Sequence, residues 1–429
     1  MLSPDRLAAF AGLVLLVCSG AWRLVVTHHS RRRLRTALFD DDPAVRASSV
    51  TVASSQGIGR YASALAELTR TETDRRVLDA IADAVARNRW EPADDPQLVE
   101  LRLWADRRGI DNTKPIRKPT HRRILVTGSG GPAGVAVIRA LRERDYDVVA
   151  ADIDDLAAGS HLTSEHDVVL RADDPRFVDG LIDVATRHGV NAVVSTIAEE
   201  MLQIARRSSE IERVAAVWVP SEACLETCLD KWRFFEVMDR AGVRTPASSI
   251  DPDDPPPGPW IVKPRCARGS RGVQAVDDIA SLERAMQETD DPIVQTRLGG
   301  AEFTVDALVR PDGEVVCAVP RWRLETKAGI STKGRTFRND RVINGTVAVL
   351  AALGLDGVAN VQGFVQPDGA ISFVEVNPRF SGALPLSLAA GADIVGEYVR
   401  ALFGDEIRVE RLGFERGATM IRHFEEIYV

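Results

Sequence analysis

Three side chains near the end of the chain have the types and spacing to hold a hard cation. In Phe373-Val374-Glu375-Val376-Asn377-Pro378-Arg379-Phe380, with Ile371 just upstream, apolar residues describe a strand that carries one carboxylate, Glu375, where an unpaired charge is costly. Asn377 lies two residues on, so its amide shares the side of Glu375 if the strand persists, and Pro378 ends the ladder. Gln362 precedes Pro367-Asp368-Gly369, a turn that folds its own strand back beside Glu375. The three oxygen donors suit Mg²⁺ (or Mn²⁺), with substrate phosphates and water completing the shell. From these residues alone, a half-buried hairpin with a neutralised Glu is an equal alternative.

Cations and mobile glycines upstream could supply the phosphate side of such a site. Trp260-Ile261-Val262-Lys263-Pro264 is a strand that presents Lys263 inward, just before Arg268-Gly269-Ser270-Arg271-Gly272. A fixed cation followed by a loop rich in backbone N–H groups is what a triphosphate requires. Lys231 sits in Leu229-Asp230-Lys231-Trp232-Arg233-Phe234-Phe235, on a helix that stops at Ala241-Gly242. The strand Ile293 to Leu298, with Gln295, Thr296 and Arg297, runs into Gly299-Gly300, and Glu302 then leaves a strand end where it could accept from ribose hydroxyls. Arg321, Arg323, Lys327, Lys333 and Arg335 crowd around Ala328-Gly329, which in an acidic protein suggests a flap over anionic groups or else a solvated basic hairpin.

The elements that must position these groups fall into several segments. A chain of 429 residues exceeds one ordinary core, and a net charge of −8 argues against a nucleic-acid partner. The five cysteines form no disulfide framework; Cys224 and Cys228 could share a helix face but read as buried thiols. Residues 1–35 contain an apolar run, Leu7 to Val26, followed by a cluster of arginines, which predicts a single-pass anchor with the rest of the chain on the cytoplasmic face of the cell membrane. Residues 36–92 show helical spacing that opens at Asp40-Asp41-Asp42-Pro43 and restarts at Thr71-Glu72-Thr73-Asp74, resembling one and a half HEAT repeats; residues 93–121 read as a linker. From residue 122 strands and helices alternate, and Gly128-Ser129-Gly130-Gly131-Pro132-Ala133-Gly134 makes a tight turn between the first strand and helix. That turn invites a dinucleotide gripped by Asp152, but the unit is short, ending on a strand at Val217 to Pro220. The turn, with Gly130 and Gly131, reads better as facing an anionic substrate group at a helix N-terminus.

In order along the chain, these motifs resemble the ATP-grasp superfamily, and within it the carbamoyl-phosphate-synthetase-like branch, from about Arg122 to Val429. The resemblance implies an α/β fold, with a Rossmann-like pre-ATP-grasp domain at 122–220 and a two-lobed ATP-grasp domain at 221–429. It implies that Lys231 and Lys263 hold ATP phosphates under the loop of Arg268, Gly269 and Ser270. It further implies that Gln295, Thr296, Arg297 and Leu298 contact adenine, Glu302 the ribose, and Gln362, Glu375 and Asn377 the metal, with Arg379 at the transferring phosphoryl group. Thr296 departs from the family's usual Glu, and Cys266-Ala267 from its more acidic, Gly-rich loop start. The implied activity is ADP-forming ligation of a small-molecule carboxylate to an amine through an acyl phosphate. A non-catalytic ATP sensor acting on a protein partner, or a kinase, are the alternatives, and a homo-oligomer is compatible with either.

Overall fold

The computed structural model describes residue 34 and residues 36–55, 61–87, 100–101, 103–104, 122–266, 272–423 and 425–428. The chain divides into two compact units, one of residues 1–118 and 426–428, the other of residues 119–425 and 429.

The first unit contains helices α1 (Pro43–Ser55), α2 (Ala62–Thr71) and α3 (Arg75–Arg87). Asp42 accepts the Ala44 N–H at 2.8 Å, so the acidic residue before Pro43 caps α1. Asp74 does the same for Arg76 at 2.9 Å, which puts the second start three residues beyond Thr71, the last residue of α2. Glu72 ties the two ends together, accepting from Arg46 Nε at 2.6 Å and Nη2 at 3.0 Å, and this guanidinium holds its carboxyl below the ordinary range. Val50, Leu65, Leu68, Val77, Ile81 and Val85 form the core between the helices. These three helices of the described residues are fewer than a stacked repeat array needs. The apolar run Leu7 to Val26 lies outside the described residues, and among the described residues no helix is long and apolar enough to cross a membrane.

The second unit opens on a parallel sheet of order β3-β2-β1-β4, made of β1 (Arg123–Thr127), β2 (Asp147–Asp152), β3 (Glu165–Val168) and β4 (Ala192–Ser195). Helices α4 (Pro132–Arg142), α5 (Phe177–Arg187) and α6 (Ala198–Arg206) cross over between or follow the strands. β4 pairs on the side of β1 away from β2, so the strand order reverses between β1 and β4, where open α/β sheets bind ligands. The strand expected at Val217 to Pro220 is not formed. Only a single bridge joins Ala216 to Ala192, after which Trp218 turns away to donate to Asp356 at 3.0 Å and stack on Tyr398, 5.0 Å between ring centroids.

Helices α7 (Glu222–Leu229) and α8 (Lys231–Arg240) follow. The helix expected through Leu229 breaks at Asp230, whose carboxylate accepts the N–H groups of Trp232 and Arg233 and restarts it one residue before Lys231. A small antiparallel sheet, β5-β8-β6-β7, consists of β5 (Ser248–Ser249), β6 (Trp260–Pro264), β7 (Gln274–Val276) and β8 (Pro292–Thr296), backed by α9 (Ile279–Glu288). It has its own core of Trp260, Val262, Val276, Leu282, Ala285, Met286 and Val294.

A six-stranded antiparallel sheet of order β13-β12-β9-β10-β11-β14 completes the unit: β9 (Ala301–Val309), β10 (Val315–Lys327), β11 (Ile330–Thr336), β12 (Gly357–Val365), β13 (Ile371–Asn377) and β14 (Thr419–Ile421), with α10 (Asp340–Leu353), α11 (Leu384–Ala389) and α12 (Ile394–Leu402). Phe303, Val305, Ala307, Val361, Phe373 and Val376 point to the α10 side and form one core. A second core is shared with the parallel sheet, joining Ile124, Val126 and Val137 to Leu308, Val319, Val358, Val395 and Val399.

Beneath the β1/β4 crevice, Glu200 of α6 is buried, and both Thr127 Oγ1 and Ser195 Oγ donate to its Oε2, the latter at 2.8 Å. Burial pushes its carboxyl up from 4.5 to about 7. The folded chain therefore keeps a proton that the unfolded chain releases, and stability falls as pH rises from about 4.5 to about 7, by on the order of 3 kcal/mol. Glu200→Gln, which cannot ionise, should lose less stability than the parent chain between pH 5 and pH 7.5, read as urea midpoints. Equal losses in both would show that Glu200 is ionised throughout.

Candidate active site

The β12–β13 hairpin sets the metal-ligand geometry. Its turn uses Gly369 at φ 79°, and Asp368 accepts the Ala370 N–H at 2.9 Å. In register, Gln362 stands opposite Glu375 and Asn360 opposite Asn377. A bulge between the Gln362 and Gly363 pairs leaves Val374 as the extra residue. It lets Phe373 and Val376, three apart, both enter the core while Glu375 and Asn377 face the other way. Gln362 also pairs with Thr304 of β9, and Thr304 with Arg321 of β10, so one row reads Arg321, Thr304, Gln362, Glu375 across four strands. The neighbouring row carries Asp306, Asn360 and Asn377. The sheet is thus apolar toward α10 and polar on the face that carries these residues.

On that face Gln362 Nε2 donates to Glu302 Oε1 at 2.5 Å, and Asn377 Nδ2 to Glu375 Oε1 at 3.2 Å. Both amide groups donate to carboxylates, which leaves the Gln362 carbonyl oxygen and the second Glu375 oxygen as acceptors for a ligand. Asn377 Oδ1 accepts from Arg379 at 3.2 Å. One carboxylate with two amide oxygens fits Mg²⁺ that shares its shell with phosphates and water, and would not by itself form a closed protein cage.

The two lysines converge on the same carboxylate. Lys263 leaves β6 into a buried position, 7% exposed, and among the described residues it has no hydrogen-bond partner. Burial pushes its ammonium down to about 8, the charge of Lys231 adds to this, and Glu375 opposes both. Lys231 is buried at the first position of α8, donates to the Arg265 carbonyl at 2.9 Å and is likewise depressed by burial and supported by Glu375. Arg265 is fixed in turn by Asp230, at 2.5 Å. Glu302 is raised by burial, lowered by Arg323 at 3.4 Å and raised again by Glu375. The field of Glu375 therefore reaches Lys231, Lys263 and Glu302, residues drawn from α8, β6 and β9.

The remaining expected residues are placed less uniformly. Arg268, Gly269 and Ser270 lie outside the described residues. Gln295 is buried and donates to Ser248 at 2.9 Å, Thr296 donates to the Pro257 carbonyl at 2.6 Å, and Arg297 pairs with Asp277 at 2.5 Å. These side chains brace the β8 end, where the N–H groups of Thr296 and Arg297 donate to the Ala247 and Pro259 carbonyls; Leu298 follows directly. Gly130 donates its N–H to Asp152 at 2.7 Å, so Asp152 holds the glycine turn. The turn is sterically fixed: a Cβ at Gly134 would lie 2.2 Å from the Gly128 carbonyl oxygen.

The basic segment does not act as one flap. Lys333 pairs with Glu325 at 2.7 Å on the exposed part of the β10–β11 hairpin, and Arg335 donates to Thr419. Arg321, by contrast, is 2% exposed at the hairpin base and bound to Asp306 at 2.6 Å and Ser381 at 3.0 Å. Asp306 also accepts from Asn360 at 2.9 Å and Ser387 at 2.6 Å. Asp306, Asn360, Ser381 and Arg422 were not singled out by the sequence reading. The alternation of Glu302, Thr304 and Asp306 along β9 was the available signal for Asp306; Ser381 and Arg422 follow from tertiary packing alone.

Comparison with known proteins fits this geometry. A family model described as ATP-grasp in the biosynthetic pathway with Ter operon matches residues 288–421. A carbamoyl phosphate synthase large chain from Neisseria meningitidis is 22% identical over 335 residues, 70% of this chain and 30% of that protein. The chain thus spans less than a third of the length of such relatives. The biotin carboxylase domain of Hydrogenobacter thermophilus 2-oxoglutarate carboxylase, solved with MgADP and bicarbonate, aligns with TM-score 0.55 and 21% identity over 68% of this chain and 72% of that one. N5-carboxyaminoimidazole synthetase from Staphylococcus aureus, complexed with ADP, aligns with TM-score 0.56 and 14% identity over 67% and 79%.

A polyphosphate beside Lys263 favours its charged form, so nucleotide binding above pH 8 should draw in a proton. Calorimetric titration of MgADP at pH 8.5, in buffers of different ionisation enthalpy, should show uptake in the parent chain and little in Lys263→Arg. Proton-neutral binding by the parent at this pH would mean that Lys263 does not meet the phosphates.

Proposed function

We propose that this chain, whose second unit carries the ATP-grasp fold, is an ADP-forming ligase that joins a small-molecule carboxylate to an amine through an acyl phosphate. The observation that carries the reading is the row in which Gln362 stands opposite Glu375 and donates to Glu302 while Asn377 donates to Glu375, with the charge of Glu375 acting on the buried Lys231 and Lys263. Two buried cations near one carboxylate suit a polyanion, and three oxygen donors suit the cation that accompanies it.

In this mechanism Lys231 and Lys263 bind the phosphates from the small-sheet side, and Glu302 accepts from the ribose. Gln362, Glu375 and Asn377 would hold Mg²⁺, which when bound neutralises phosphate charge and orients the γ-phosphoryl group. Arg379, anchored to Asn377 Oδ1 and the Phe380 carbonyl, offsets charge on the transferring group. The substrate carboxylate attacks the γ-phosphorus, the bond to the β-phosphate oxygen breaks, and ADP leaves. The amine then attacks the acyl carbon, loses a proton and expels phosphate. Water must be kept out between the two steps, or the acyl phosphate is hydrolysed.

Release of phosphate should require both an acid and an amine from the substrate pools, one ADP and one phosphate per product. ADP release with acid alone and no free phosphate would point to a kinase, and phosphate release with acid alone, at the same rate, to a hydrolase. Glu375→Gln should lower ADP formation by about 10³-fold, on the order of 4 kcal/mol of transition-state stabilisation, while its melting temperature stays within a few degrees of the parent. Loss of folding without loss of specific activity would make Glu375 structural.

Leu7 to Val26, followed by Arg31, Arg32, Arg33 and Arg35, supports an N-terminal anchor that holds the catalytic unit at the cytoplasmic face of the membrane. Full-length protein should then resist carbonate extraction from membranes, and a soluble full-length pool would remove this part of the reading.

A further inference from the structure

Three buried polar atoms on the active-site face have no partner among the described residues: Thr304 Oγ1, Arg321 Nε and Arg323 Nε. The first two belong to residues directly opposite one another on β9 and β10, whereas Arg323 already pairs with Glu302. Arg321 spends its Nη2 on Asp306 and Ser381, which leaves Nε as a buried donor. A buried donor without an acceptor costs about 1–3 kcal/mol, so such atoms mark where another molecule supplies the acceptor.

A second cation stands beside them. Arg422, just past β14, donates through Nε to the Ser331 carbonyl at 3.1 Å and through Nη2 to the Gly382 carbonyl. Among the described residues no carboxylate lies within ion-pair distance of it. Its guanidinium is disfavoured by burial and further by the charge of Arg321. Asp306 neutralises one of the two arginines and nothing described neutralises the other. Gly382 also abuts the start of α4: a Cβ there would lie 3.5 Å from Pro132 Cβ. That helix spans eleven residues and no side chain caps its N-terminus.

We propose that Arg422, Arg321 Nε and Thr304, at the N-terminus of α4, form the cradle that binds the carboxylate of the acid substrate. This rests on the ligase reading above and assigns its acid-binding residues. The planar arginine forks fit a carboxylate in two-point contact, and Thr304 can donate to one of its oxygens. The same row continues through Gln362 to Glu375, so an acid held here lies on the strand row that leads to the metal ligands.

The test uses the full chain saturated with MgADP and titrated with malonate, then with inorganic phosphate and with chloride at equal ionic strength. Malonate should bind saturably to the parent chain and at least tenfold more weakly to Arg422→Gln, with MgADP affinity changed less than twofold. Arg422→Lys keeps the charge but loses the fork and should fall between. Because Arg422 also pins β14, Thr304→Val, isosteric and on a strand that does not pair with β14, serves as a second variant and should weaken malonate about threefold or more. Unsaturable malonate, or equal binding by Arg422→Gln and Thr304→Val, overturns the cradle. Phosphate binding as tight as malonate overturns its assignment to a carboxylate. Malonate binding that depends on Arg422 in a chain that does not bind MgADP would sink the ligase reading and leave the anion site standing.

Discussion

The site depends on charge held out of water. Lys231 and Lys263 are both buried, and their ammonium groups are depressed because the low-dielectric surroundings disfavour them. Glu375 is their common counter-charge, and it is not brought into a tight ion pair with either. Such an arrangement is costly in the free protein, since burial disfavours both ammonium groups and Glu375 only partly offsets it. A polyphosphate reverses the balance, so binding and relief of this cost are the same event. Everything that fixes the two lysines serves this end: Asp230 restarts the helix at Lys231, Arg265 braces Asp230, and β6 aims Lys263.

The large sheet solves the complementary problem of keeping polar groups together on one face. Along β9 the residues alternate strictly, with Phe303, Val305 and Ala307 inward and Glu302, Thr304 and Asp306 outward. Register then places Gln362 and Glu375 beside Thr304, and Asn360 and Asn377 beside Asp306. A slip of one residue would exchange the two faces, so the apolar packing on α10 and the ligand geometry are a single constraint. On β13 the bulge at Val374 departs from simple alternation, and it is what separates Phe373 from Glu375. The buried Arg321–Asp306 pair, tied to Ser381, Ser387 and Asn360, holds β9, β10 and β12 to the segments that follow β13.

Much of this was legible in the sequence where local pattern and function coincide. The Pro367-Asp368-Gly369 turn and the alternation around Glu375 give the hairpin, and the Gly242 stop gives the end of α8. Other features had no local signal. β3 reads Glu-His-Asp-Val and is an edge strand held largely by its neighbour, so apolar periodicity does not reveal it. Val217 to Pro220 has the composition of a strand, but Trp218 packs on Tyr398 instead of extending the sheet. The basic cluster between Arg321 and Arg335 looks uniform in sequence, and only folding separates the buried Arg321 from the exposed Lys333. Arg422 comes into play because β14 pairs with β11, a contact across about ninety residues that no window could detect.

The division of the apolar cores has a dynamic meaning. The parallel sheet and the six-stranded sheet share one continuous core, whereas β5 to β8 and α9 close on a small core of seven side chains. Local opening has a free energy that scales with the apolar contacts it breaks. The small lobe can therefore detach or swing at a fraction of the global unfolding free energy, while the two larger sheets open together or not at all. Since Lys263 rides on that lobe and Glu375 on the rigid part, amide exchange in β6 to β8 reports directly on how firmly a nucleotide ties the halves together.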